Sequence, residues 1–354
     1  MPEIDIPSEL SRYSKLVEAA AERYIPRRID EEGLKKILGE PAYRYEAESV
    51  NKGVLQPFWD LMDRGGKRWR PALTMMMYEA LGGEAEEIAP LAVIPEAIHN
   101  GTLAVDDVED ESDFRRGKPC IHKIYGVDIA INMGNTMYFL PLLILNQLEI
   151  PEGKKLAILE DYVRTMTELS IGQAMDIAWH RGMVEKIDEE QYLQMTLFKA
   201  GALARFATNI ASILAGTHPE VRLRLERYAE VMAVGFQIQD DILNIVGEEE
   251  KYGKEIGGDI KEGKRTLMVI HALKNLPPAE AQRLREILNM RTNNPELIRE
   301  AIELIKKAGS VEYARKVCRQ HIERALKLLD ESLEESHAKE KLKALTEFLI
   351  KREY

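Results

Sequence analysis

HNGTLAVDDVEDESDFRRGKP, residues 99–119, and GFQIQDDILNIVG, residues 235–247, decide how this 354-residue chain is read. Each sets an aspartate pair in apolar sequence: Asp106-Asp107-Val108-Glu109-Asp110 in the first, Asp240-Asp241-Ile242-Leu243-Asn244 in the second. On an α-helix, residues four apart share a face. Asp106 and Asp110 therefore project together, with Asp107 turned partly away, and Asp240 and Asn244 repeat the spacing. For one cluster alone, a solvated acidic helix end is the plainer reading. Two clusters with apolar flanks argue otherwise: Leu103, Ala104 and Val105 precede one, and Ile238, Ile242 and Leu243 surround the other. Carboxylates set in buried helix require a partner. Magnesium takes oxygen ligands in an octahedron, usually one or two carboxylates with phosphate oxygens and waters. The pattern suggests magnesium clamping a diphosphate.

Basic residues accompany both clusters. Gly65-Gly66-Lys67-Arg68-Trp69-Arg70-Pro71 places three cations in a turn that opens a helix. Backbone N–H groups at a helix start add to the pull on an anion. Arg115 and Arg116 follow the first cluster. They serve equally well as salt-bridge partners or as forks for diphosphate oxygens. Lys199 sits in an apolar helix, YLQMTLFKAGALA, where an unpaired lysine is costly. Lys254 and Lys264 lie in the Gly-rich stretch after the second cluster. His99, seven residues before Asp106, shares its face and reads either as a satisfied core histidine or as part of the site. Gln173 and Asp176 are polar residues in apolar helix, lining a cavity or making structural hydrogen bonds. Together the cations form two groups, enough for two diphosphates.

The rest of the chain bounds the reading. Net charge is −11, which argues against a general nucleic-acid partner. Two cysteines, Cys120 and Cys318, make no disulfide framework and read as reduced thiols of a cytoplasmic protein. The opening MPEIDIPSEL lacks the apolar core of a signal peptide. Ile129 to Leu145 is apolar but interrupted by Asn132, Gly134, Asn135 and Pro141, so no integral membrane segment is expected. Periodicity predicts helices over 8–24, 29–39, 44–63, 70–81, 86–110, 127–148, 153–182, 188–215 and 218–246, with further amphipathic helices from 266 to 350. Pro90 and Pro95 should kink the helix over 86–110 or delay its start. Residues 117–119 and 248–266 read as loops. No alternating β-branched run and no nucleotide-binding βαβ signature is present. The expected fold is all-α, a single domain of long helices around a central cavity.

In order along the chain, GGKRWRP, residues 99–119, the GQAMD helix, Lys199, GFQIQDD, GKEIGGD and GKRT resemble the trans-isoprenyl diphosphate synthases, or polyprenyl synthetases. The likeness runs from roughly residue 45 to residue 335, which implies a synthase domain over 41–354 behind an N-terminal helical extension, 1–40. Asn244 closing the second motif, Val105 before the first, GQAMDIAWHRG and HKIYGVDIAIN are most similar to the geranylgeranyl diphosphate synthase branch as found in eukaryotes. One departure is Ala200, where the family usually has Thr, and it puts a hydroxyl contact to diphosphate in doubt.

The resemblance implies Mg²⁺-dependent, successive head-to-tail condensation of isopentenyl diphosphate with an allylic diphosphate. Asp106, Asp110 and Asp240 are implied as leading ligands of three magnesium ions, with Asp107 and Asp241 second in rank. Arg115, Lys199, Lys254 and Lys264 would hold the allylic diphosphate, and Lys67, Arg70, His99 and Arg116 isopentenyl diphosphate. Gln237 and the backbone near Lys199 would stabilise the allylic cation by their dipoles. Metal and cations stabilise the negative charge that develops as the allylic C–O bond ionises, and water must be kept out. Small residues at Gly101 and Thr102, about one turn behind Asp106, leave a tail tunnel open, with Ile98, Pro95 or residues 137–139 as its floor. This implies a C20 product, with C25 or longer as the alternative, made by a homodimer. A terpene cyclase would need no isopentenyl site, and a non-catalytic subunit would have lost its aspartates. A helical scaffold with solvated acidic patches leaves Lys199 and the paired motifs unexplained.

Overall fold

The helical periodicity is realised almost end to end. A computed structural model describes residues 4–247 and 256–350. Their contacts gather in two compact units: residues up to Leu159 together with Ile210–Gly216, and Glu160–Asn209 together with the residues from Thr217 on.

In the first unit, α1 (Ile6–Tyr24) is capped by Asp5, whose carboxylate accepts from Ser8 N–H, and α2 (Glu31–Leu38) is capped in the same way by Asp30. Next, α3 (Ala47–Val50) runs through a π turn, Asn51–Leu55, into α4 (Gln56–Asp63). After α5 (Trp69–Ala80) come α6 (Ala85–Glu109), α7 (Ile121–Tyr125) and α8 (Val127–Phe139). The sequence of α6 is apolar on nearly every face from Ile88 to Ile98, so the helix is buried all round, with α1, α5 and α8 packed on it. Pro90 and Pro95 lie inside α6 and do not delay its start, which is at Ala85. Packing on three neighbours outweighs the backbone bonds that the two prolines cannot make. At the α6–α8 crossing the helices meet backbone to backbone: a Cβ on Gly134 would stand 2.7 Å from the Gly101 carbonyl oxygen.

Residues 117–119, expected as plain loop, belong instead to a two-stranded ribbon. β1 (Phe114–Arg115) pairs antiparallel with β2 (Lys118–Pro119), Arg115 opposite Lys118. The linking pair, Arg116 and Gly117, has φ of 54° and 73°. Two positive φ values give the mirror-image turn that matches strand twist. In the apolar stretch α8 runs unbroken through Asn132, Gly134 and Asn135; the α-helix gives way only after Phe139, where Leu140–Gln147, with Pro141 in its first turn, winds as a 3-10 helix. Among the described residues two stretches, Ala85–Glu109 and Val127–Gln147, are long and apolar enough to cross a membrane by length and composition. The first is 72% buried within the protein and the second 33%.

The second unit takes most of α9 (Glu152–His180), then α10 (Glu189–Thr196), a π turn at Leu197–Gly201, α11 (Ala202–Ala215, divided between the units) and α12 (Pro219–Val246). Asp188 and Gln191 close a reciprocal capping box at the start of α10. Helices at Leu267–Asn275, Pro278–Met290, Pro295–Lys307, Ser310–Asp330 and His337–Ile350 complete the unit. Ser310–Asp330 packs along α12. Within 248–266, expected as loop throughout, Gly258–Glu262 forms a short helix. Lys254 lies outside the described residues.

Candidate active site

In the first unit the acidic cluster ends α6. Asp110 caps the helix, and Asp106 and Asp110 are joined by the bond from Asp110 N–H to the Asp106 carbonyl, 2.8 Å. Helical spacing turns Asp107 the other way, and it is fully buried. There it takes Arg115, whose Nε donates to Oδ1 at 2.8 Å and whose Nη2 donates to the same oxygen. Arg115 also lies 3.7 Å from Asp106. Burial works against the Arg115 charge, but Asp107 and Asp106 outweigh it and raise its pKa. The Cys120 thiol, buried beside Asp107, is pushed up to about 12 by burial and by that carboxylate. Among the described residues no three His, Cys, Asp or Glu side chains converge as a ready metal cage. The carboxylate oxygens of Asp106 and Asp110 are the donor type that magnesium takes, its shell being completed by phosphate oxygens and water.

The ribbon β1–β2 is tied down by Arg64, a residue sequence reasoning passed over. Its Nη1 donates to the carbonyls of Arg115 and Pro119, at 3.3 and 2.8 Å, while Nε holds Asp60 at 3.0 Å. This fixes Arg116 at the ribbon tip. Arg116 Nη1 donates to the Leu61 carbonyl at 3.0 Å and to Asn100 Oδ1 at 3.2 Å. Its guanidinium lies over Gly66, where an added Cβ would stand 3.1 Å from Nη2. Gly66 also has φ of 131°, so glycine answers both a close approach and a backbone strain.

The cations of GGKRWRP divide in role. Arg68, in left-handed conformation, is consumed structurally by Glu18 of α1 and by the Met62 carbonyl. Lys67 is exposed. Arg70 is 9% exposed and stacks on Trp69 with 4.4 Å from Cζ to the ring centroid, and its Nε meets no acceptor. Burial lowers its pKa to about 10, Glu96 opposing and Arg116 adding to the fall, so it stays charged at neutral pH. His99 is driven well below its ordinary value, by burial first and then by Arg70, Arg116 and Arg115. Its imidazole is therefore neutral and can act as acceptor or donor.

In the second unit Lys199 stands on the π turn between α10 and α11, a local widening often found at functional positions. Gly172 of α9 lets that turn approach: a Cβ there would stand 2.9 Å from Lys199 N. The lysine's partner is Asp176, one turn further on, at 2.6 Å. Lys199 is thus paired, and the aspartate of the GQAMD helix is its counterion. Asp241 mirrors Asp107. It is buried, and both of its oxygens accept, from Tyr192 OH at 2.8 Å and from Gln237 Nε2 at 2.8 Å. Burial raises its pKa above the usual carboxylate range, and Asp240 adds to the rise. Asn244 Oδ1 accepts the Asp259 N–H at 3.0 Å, so the amide braces the turn of GKEIGGD. Lys264 reaches Glu262 and Asp259. Tyr192 and Asp259 carried no signal as single residues, because their partners lie far along the chain.

The polyprenyl synthetase profile matches residues 51–305. A short chain isoprenyl diphosphate synthase of Methanocaldococcus jannaschii is 40% identical over 72% of this chain and 76% of that protein. A geranylgeranyl pyrophosphate synthase of Geoglobus acetivorans is 33% identical over 90% of this chain and 97% of its own. Among solved structures, the geranylgeranyl pyrophosphate synthetase of Pyrococcus horikoshii superimposes with a TM-score of 0.79 at 31% identity, covering 97% of this chain and 100% of that one. The chain therefore belongs to the polyprenyl synthetase family. It has the all-α isoprenyl synthase fold and is similar throughout to proteins named geranylgeranyl diphosphate synthase. These relatives are archaeal, whereas the motif details pointed to the eukaryotic branch.

Proposed function

We propose that the chain is a magnesium-dependent prenyltransferase that condenses isopentenyl diphosphate with allylic diphosphates to give a C20 product. The observation that carries the reading is the end of α6, where Asp106 and Asp110 share a helix face beside an arginine ribbon. Similarity to proteins named geranylgeranyl diphosphate synthase supports the length. Relatives named geranylfarnesyl diphosphate synthase keep C25 as the second reading.

Asp106, Asp110 and Asp240 are assigned as the magnesium ligands, with Asp107 and Asp241 behind them. When bound, the metal neutralises charge on the departing diphosphate. Arg115, Lys199, Lys254 and Lys264 hold that diphosphate and stabilise its growing charge. Lys67, Arg70, His99 and Arg116 orient isopentenyl diphosphate so that its double bond meets the allylic cation. Neutral His99 spares this site one positive charge while still hydrogen-bonding. Gln237 turns its carbonyl dipole toward the cation while its amide nitrogen holds Asp241. Thr102 and Ile98 line the path of the growing tail. Residues 41–354 act as the synthase proper, with 1–40 as an extension whose α1 packs on α5 and α6. A second copy of the chain covers the exposed apolar face of α8, where Val127, Ile131 and Phe139 are open. With both cysteines free and buried, the protein belongs in the cytoplasm.

The test is a product assay. Purified chain, isopentenyl diphosphate and each allylic starter are incubated with magnesium, and the product is sized by chromatography. A C20 main product that disappears with EDTA and returns with added magnesium is expected. No product from any starter would sink the reading, and a longer product would select the C25 alternative.

A further inference from the structure

Glu96 is a buried carboxylate to which the proposed chemistry gives no task. It lies on α6, 3% exposed, one turn before Asn100, which is fully buried. Asn100 Nδ2 donates to Glu96 Oε1 at 3.1 Å and to the Glu96 carbonyl at 2.9 Å. The other end of the same amide, Oδ1, accepts from Arg116 at 3.2 Å. Among the described residues no cation stands within ion-pair distance of the carboxylate, although its charge is felt by Arg70 and Arg116. A carboxylate at this depth is costly unless something needs it.

The arrangement separates support from consumption. A glutamate bonded directly to Arg116 would occupy a bidentate fork, the geometry that an anion also wants. Here the charge stands one amide away. Asn100 takes one donor of Arg116, and Leu61 shares it, so that the rest of the guanidinium keeps its direction with its donors unspent. Glu96 fixes which way the Asn100 amide points: its acceptor demands Nδ2, which leaves Oδ1 for the arginine. We infer that Glu96 and Asn100 form a relay that aims Arg116, and that Glu96 is a positioning residue for the isopentenyl diphosphate subsite. This rests on the reading of Arg116 as a ligand of that diphosphate.

Steady-state kinetics on the full-length enzyme test it. Glu96→Ala and Asn100→Ala should each raise KM for isopentenyl diphosphate roughly tenfold, the scale of a lost hydrogen bond to a charged group. KM for the allylic substrate should hardly move. Glu96→Gln keeps the acceptor and should restore most of the loss. On an Arg116→Ala background, Glu96→Ala should add nothing further. Thermal unfolding of each variant reports whether it folds. If Arg116→Ala leaves KM for isopentenyl diphosphate unchanged, the subsite reading itself fails. The relay alone is overturned if Arg116→Ala raises that KM and a folded Glu96→Ala does not, if both substrates suffer equally, or if Glu96→Gln is as harmful as Glu96→Ala. Should Glu96→Ala not fold, the Asn100→Ala and Glu96→Gln results decide in the same way.

Discussion

Gly101→Ala tests the α6–α8 crossing and, with it, how product length should be probed. A Cβ at Gly101 would stand 2.8 Å from the Gly134 carbonyl oxygen, 2.9 Å from Met137 Cβ and 3.4 Å from Tyr138. Two of these lie below any ordinary contact, and the nearest is backbone, which cannot swing aside. The helices must separate, at an overpacking cost of about 1–3 kcal/mol. Alanine returns up to about 1 kcal/mol of helix propensity over glycine. The net expectation is a loss of roughly 1–2 kcal/mol. Gly153→Ala, in α9, is the control: nothing lies within 4 Å of its added Cβ, so its stability should stay level or rise. Urea unfolding followed by helical circular dichroism measures both. If Gly101→Ala is as stable as the parent, the close crossing is not what the structure says it is. The result bears on the tail tunnel too. A phenylalanine at Gly101 would press on α8, so a changed product would mix tunnel blocking with helix displacement. Thr102 is half-buried, with its hydroxyl donating to the His99 carbonyl, and Thr102→Phe is the cleaner substitution for shortening the product.

Three further outcomes are expected. Asp107→Asn should destabilise the protein by about 3 kcal/mol in urea unfolding, because it breaks a buried ion pair with Arg115; an unchanged midpoint would show that the pair is not structural. His99, among Arg70, Arg115, Arg116 and Asp106, has its pKa driven well below 6.5, so the unfolded chain takes up its proton first as pH falls. Stability should therefore decline as pH drops below about 6.5, and His99→Gln should flatten that decline; parallel pH profiles of the two proteins would refute the assignment. Burial, reinforced at Cys120 by Asp107, pushes the thiols of Cys120 and Cys318 up to about 12. Neither should react quickly with a disulfide reagent at pH 8 in the native protein, and both should react in urea; rapid native reaction of either would contradict their burial.

Helix positions were legible because apolar residues recur at helical spacing, and most long helices begin and end within a few residues of their expected bounds; the helix expected over 127–148 is the exception, giving way after Phe139 to a 3-10 helix. Helical geometry also separated Asp107 from Asp106: the residue one step on turns inward, and Asp107 is fully buried whereas Asp106 is half-buried. The ribbon at 114–119 was not legible. Two-residue strands are too short to alternate, and Arg116 occupies a positive φ that no residue type announced. Partners far along the chain stayed hidden as well. Asp241 is held by Tyr192, 49 residues earlier, and the need for glycine at 101 is set by Gly134 on another helix. Lys199 reads in sequence as a costly cation in apolar helix, given to the allylic diphosphate by the resemblance, and only the fold pairs it with Asp176.

The two acidic motifs share almost no flanking sequence, yet each solves the same problem. When residues i and i+4 of a helix face a ligand, residue i+1 is carried round toward the protein interior, where a carboxylate must be hydrogen-bonded. At Asp107 the donor is a guanidinium, and at Asp241 it is a phenol and an amide. The difference matters for charge. Burial raises the pKa of Asp241 against the pull of its two neutral donors, whereas Arg115 brings a full positive charge to its cluster. Under the proposed function Arg115 therefore stands between two demands, holding Asp107 and meeting a diphosphate. Since its Nε and Nη2 both serve Asp107 Oδ1, the remaining edge of the guanidinium is what an anion can use. Replacing Arg115 with lysine, a single-point cation, should keep one of these contacts and lose the other, so Arg115→Lys is not a conservative change at this position.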